Sequence, residues 1–204
     1  METASWVDSA TEQLRAAATG EKRLAPAFVR LALHDALTYD VTTKTGGANG
    51  SIRVERELQH PGNEGLEPAI AVLDTIKKTL DSNVTHADLI QLAGVVGVAA
   101  MQGPFVAFVP GRSDSRVSPP RGRLPNDPAK ANFKAAMQRT GLPPRLFVAL
   151  AGAAPMGMHW GNTGAELAWE PRKAAFDNTF FKVCKRWEKV PLATGNEQIP
   201  RSGI

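Results

Sequence analysis

Two side chains in the segment FVRLALHDAL have types and spacing suited to chemistry. Arg30 and His34 are four residues apart, so on a helix they project from one face. An imidazole titrates near neutrality and can carry a proton. A guanidinium keeps its charge and can stabilise negative charge that develops beside it. Their neighbours are mostly apolar, and burying both groups is costly without a partner or a purpose. The structural alternative is a histidine held by a core hydrogen bond and an arginine that reaches solvent. Elsewhere His86 falls in a capping segment and is expected to be exposed, while His159 with Trp160 reads as a packing or surface pair. The single cysteine, Cys184, excludes an intrachain disulfide framework and any CxxC metal site.

The elements that must position this pair are helical. Residues 3–19 and 25–37 carry apolar side chains at helical spacing, and Pro26 suits a first turn. Residues 38–54 are rich in Gly, Thr and Asn and read as loop. Residues 65–80 place Leu66, Ile70, Leu73, Ile76 and Leu80 on one face. Thr85 stands three residues before Asp88 as the N-cap of a helix running to about Met101. The Pro- and Gly-rich stretch 103–128 is expected to be an ordered surface loop pinned by its prolines. Residues 129–139 and 144–151 are again helical, and the last residues look like coil.

The chain has 204 residues, 43% hydrophobic and 22% charged, which gives one domain with enough apolar mass to bury a core. No apolar run is long enough for a transmembrane helix. The net charge of +4 comes from scattered basic residues, so a nucleic-acid partner is not expected. The first residues lack the basic and apolar regions of a signal peptide.

The stretch APAFVRLALHDALTYDVTTKTGGANGSIR resembles the distal helix and following loop of class I haem peroxidases, the ascorbate peroxidase group. The likeness continues through ELQHPGNEGLEPAI, THADLIQLAGVVGV, VPGRSDS, GRLPND and WEPRKAAFDNTFF. It implies a mainly α fold with two lobes around a cleft. On this reading 1–204 is a single peroxidase-like domain, with a distal lobe at about 1–128 and a partial, C-terminally shortened proximal lobe at about 129–204. The resemblance makes His34 the distal base and Arg30 the distal arginine. It makes Asn63 the acceptor that fixes the imidazole tautomer and Glu57 a support for that network. Leu33 replaces the distal tryptophan of ascorbate peroxidases.

The proximal half departs from the family pattern. Relatives read ALSGGHTIG, with the histidine as axial iron ligand. This chain reads ALAGAAPMG, which puts Ala154 at the ligand position, where a methyl group cannot donate to iron. Pro155 follows it, and Gly195 stands where the ligand's partner carboxylate is expected. Trp169 keeps the spacing of the proximal tryptophan, as a radical site or as a core aromatic. His159 is the candidate substitute ligand, but on a continuous helix it points about 140° away from Ala154. Lys22 matches the family's ascorbate-contact lysine, while Asn162 replaces the arginine.

The expectation is a peroxidase-fold pseudoenzyme without haem or other cofactor, serving as a structural or binding subunit of a larger, photosynthetic complex. A protein partner would cover the shortened proximal side at Trp187, Val190 and Leu192. Resemblance to the plant and algal ascorbate-peroxidase-like branch suggests a plastid, thylakoid-associated site, with the cytoplasm as the other location. The alternative is a working haem b peroxidase that reduces hydrogen peroxide under oxidative stress, with an unusual or exogenous axial ligand. A third reading is another planar molecule in the vacated cleft.

Overall fold

A computed structural model of the chain describes residues 3–124, 133–151 and 182. Seven α-helices lie among them. They are α1 (Thr3–Gly20), α2 (Leu24–Leu37), α3 (Glu55–Leu58), α4 (Glu67–Lys77), α5 (His86–Ala100), α6 (Phe133–Thr140) and α7 (Pro144–Ala151). A 3-10 turn at Ser51–Arg53 precedes α3. The described residues contain no β-strand, only an isolated antiparallel bridge between Asp40 and Thr45.

The helix α2 is buried on nearly every side, as is α5, which makes them the central pair. Their close approach depends on two glycines in α5. A Cβ on Gly94 would lie 2.6 Å from the Ala32 Cβ, and one on Gly97 would lie 2.5 Å from the Ala25 carbonyl oxygen. Gln91 adds a cross-tie, donating from its amide to the Ala32 carbonyl at 3.1 Å. Thr85 caps α5 as expected, its hydroxyl accepting from the Asp88 amide at 3.1 Å. Around this pair α1 contributes Ala10, Leu14 and Ala18, and α4 contributes Ala69, Leu73 and Ile76. A second, smaller apolar cluster joins Leu37, Leu124 and Ala136, with Leu33, Met137, Leu142 and Leu150 against it.

Several local expectations shift. The loop after α2 includes the 3-10 turn, and its chain reversal is held by Thr38, whose hydroxyl donates to the Asp35 carbonyl and accepts from the Gly47 amide. The helix α4 begins at Glu67 rather than at Gly65, because Gly65 takes a left-handed φ of 75° that closes the preceding turn. The described part of α6 is Phe133–Thr140, and the expected start at 129–132 lies outside the described residues.

The strap at 103–124 runs extended over the helices without a ladder. Two carboxylates, rather than its prolines, fasten it. Asp88 on α5 accepts from the Gly111 amide at 2.8 Å, the Arg112 amide at 3.2 Å and the Arg112 guanidinium at 2.9 Å. In return Asp114 on the strap accepts from the Ala87 amide at 2.8 Å and the His86 amide at 3.1 Å, at the start of α5. His86 is therefore half-buried rather than exposed, with Nδ1 3.2 Å from Asp114 and Nε2 3.4 Å from Asp74. Phe108 seats the strap on α1, edge-on to Trp6 at a ring separation of 6.1 Å.

Candidate functional site

The face of α2 that carries Arg30 and His34 meets the turn between α3 and α4. Both side chains are about 1% exposed. Asn63 in that turn is fully buried and bonds in two directions. Its Nδ2 donates to the Glu57 carbonyl at 2.9 Å, and its Oδ1 lies 2.9 Å from His34 Nδ1. The first bond fixes the orientation of the amide. An oxygen therefore faces the ring, and Nδ1 must be the donor. The lone pair of His34 is left on Nε2, which is buried and has no hydrogen-bond partner among the described residues.

Electrostatics agree with a neutral ring. Burial holds His34 down at about 4, with the charge of Arg30 adding to the effect and the Asn63 bond opposing it. At neutral pH Nε2 is thus a proton acceptor. Burial also lowers Arg30, to about 10, against the charges of Glu64 and Glu67, so the guanidinium stays protonated. One of its Nη groups donates to the Glu64 carbonyl, while Nε has no partner among the described residues.

The expected support from Glu57 comes through its main chain and not its carboxylate. Both carboxylate oxygens are buried without a hydrogen bond among the described residues, as is the nearby Ser51 hydroxyl. Burial, aided by the charge of Asp35, pushes Glu57 up to about 7. Asp35, next to His34, was not marked by sequence reasoning, yet it orders the loop. Its carboxylate accepts from the Gly50 amide at 2.9 Å and the Ile52 amide at 3.4 Å. Burial raises it to about 6 against those bonds. Leu33 is half-buried against the second apolar cluster. Lys22 is exposed. Ala154, His159, Trp169, Trp187, Val190 and Leu192 lie outside the described residues.

Sequence reasoning passed over Glu64 as well. A polar residue beside Asn63, between the left-handed Gly62 and Gly65, was the available signal. Its main-chain role has no signature in side-chain type.

A helical fold that buries an imidazole with an unpartnered Nε2 beside a guanidinium holds one group that can accept a proton and one that can stabilise negative charge. The chain belongs to the peroxidase family, whose pattern matches residues 10–198. It is 48% identical over 188 residues to the probable L-ascorbate peroxidase 4, peroxisomal, of Oryza sativa subsp. japonica, a match covering 91% of this chain and 64% of that protein. To L-ascorbate peroxidase 2, cytosolic, of Arabidopsis thaliana it is 44% identical over 174 residues, covering 84% of this chain and 69% of the other. The chain thus spans a little under two thirds of the rice relative's length. Among solved structures, the TL29 protein from Arabidopsis thaliana aligns with a TM-score of 0.61 at 28% identity, over 74% of this chain and 73% of that one. The haem-peroxidase-like helical fold expected from the sequence therefore stands.

Proposed function

We propose that this chain keeps the proton-handling half of a peroxidase site but holds no haem through an axial residue of its own. On this reading it has no peroxidase turnover by itself and serves as a binding or structural subunit. The observation that carries the proposal is Ala154 at the family's ligand position. Haem is the group the family implies, and the residues fit it on one side only. On the distal side, Arg30 Nε and His34 Nε2 are buried polar atoms without partners among the described residues, as a ligand-facing pair would be. On the proximal side an alanine methyl offers no electron pair to a metal. As a subunit, the chain would meet a protein partner through Trp187, Val190 and Leu192. The relatives' names place them in the peroxisome and the cytosol, so they lend no support to a plastid.

A second reading is favoured by the assembled His34–Asn63–Arg30 set. It makes the chain a hydrogen-peroxide-reducing haem peroxidase whose axial base comes from elsewhere, His159 or a small exogenous base. Haem titration of the purified chain separates the two. The first reading expects no stoichiometric Soret band and no peroxide turnover in the natural chain, with a Soret band gained in the Ala154→His variant. A natural chain that takes up one haem and turns over peroxide would establish the second reading and sink the first.

A further inference from the structure

Asn63 and Glu64 are consecutive, and each holds one member of the α2 pair. Asn63 Oδ1 accepts from His34 Nδ1 at 2.9 Å, and the Glu64 carbonyl accepts from the Arg30 guanidinium. That second bond is the only hydrogen bond the described residues give the Arg30 side chain, so its placement depends on where one carbonyl points. The carbonyl belongs to a turn that Glu64 itself closes. Its Oε2 accepts from the Gly62 amide at 2.8 Å. Gly62 and Gly65, with φ of 98° and 75°, flank the pair in left-handed conformations. The Glu64 carboxylate is exposed, whereas Asn63 is fully buried. Glu64 therefore joins a solvent-facing clasp to a buried guanidinium.

We propose that Glu64 is the positioning residue of the distal pair, fixing through its turn where the Arg30 charge sits relative to His34. Arg30 and His34 work as a unit because a cation near the ring keeps it neutral, and that influence falls with distance. If the turn opens, the guanidinium is free to leave the ring. The inference rests on reading Arg30 and His34 as the ligand-facing pair. Haem titration tests that reading, and a measurement without haem tests this one, so either can fail alone.

The experiment is NMR on the whole chain. In Glu64→Ala, exchange of the Arg30 Nε–H at pH 7 is expected to speed up about tenfold or more, with the backbone amides of α2 unchanged. The ring titration of His34 is expected to move up from about 4. The direction is diagnostic. Losing the carboxylate charge would by itself lower the ring, whereas an opened turn raises it, by letting water reach the ring and the cation leave it. In Glu64→Gln the side-chain carbonyl can still accept from Gly62, so exchange is expected to stay at the natural rate and the ring titration not to rise. A Glu64→Ala chain that loses thermal stability while Arg30 and His34 are unmoved would overturn the proposal. So would a Glu64→Gln chain that shifts both readouts as far as Glu64→Ala.

Discussion

His34 and Glu57 lie on either side of Asn63 and push the pH dependence of stability in opposite directions. The unfolded chain protonates His34 at about 6.5, while the folded chain waits until about 4. The contribution of His34 is therefore complete above pH 6.5 and is lost as pH falls towards 4. Between pH 7 and pH 5 the loss is about 2 kcal/mol relative to a His34→Gln variant, readable from denaturant unfolding at the two values. Glu57 ionises at about 4.5 unfolded and about 7 folded, so the fold binds the extra proton and stability declines as pH rises across that window. Glu57→Gln, which needs no proton to stay neutral, is expected to be more resistant at pH 8 than at pH 5 by about 2 kcal/mol compared with the natural chain. An unchanged difference between the two pH values would show that Glu57 is solvated in the fold. Asn63→Ala would leave the His34 N–H unpaired and buried, while the Glu57 carbonyl keeps the His60 amide, lowering stability by about 1 to 3 kcal/mol in equilibrium unfolding.

At the scale of elements, the contact of α2 with α5 sets the rigidity of the site. Gly97→Ala places a methyl against the Ala25 carbonyl and the Val29 side chain. Two buried helices must part to admit it, at a cost of about 1 to 3 kcal/mol. Thr85→Ala removes the α5 cap at a cost of about 1 kcal/mol, without crowding. Melting curves of the two variants should rank in that order. Much of this architecture was legible in the residues. Apolar spacing marked α1, α2 and α4, and Thr85 with Asp88 marked the start of α5. The family pattern marked Arg30, His34 and Asn63 as one site. The unreadable parts depend on partners remote in sequence or on main-chain atoms. The strap's prolines suggested how it is ordered, but its real ties are Asp88 and Asp114, each bonded to amides more than twenty residues away. Glu57 was marked as a support for the His34–Asn63 network, and no side-chain rule shows that the supporting atom is its carbonyl. His86 looked solvent-facing because no local rule brings Asp74 and Asp114 to it.

For the molecule as a whole, the described residues supply a buried polar pair set in a helical core. They include no helix long and apolar enough to cross a membrane, and no group of three or more His, Cys, Asp or Glu that could hold a metal ion. The distal frame gains its stability from α1, α2, α4 and α5 packing on one another. Fold and catalysis are separate properties of such a chain and call for separate assays.

The reciprocal grip of Asp88 and Asp114 has a mechanical corollary. Each partner supplies one carboxylate and receives the other, so the fastening does not rely on the continuity of the polypeptide beyond it. Chymotrypsin should find the exposed Phe105, which lies between the two carboxylates, yet a molecule nicked there is expected to migrate as one body on a native gel and to fall into two fragments only in denaturant.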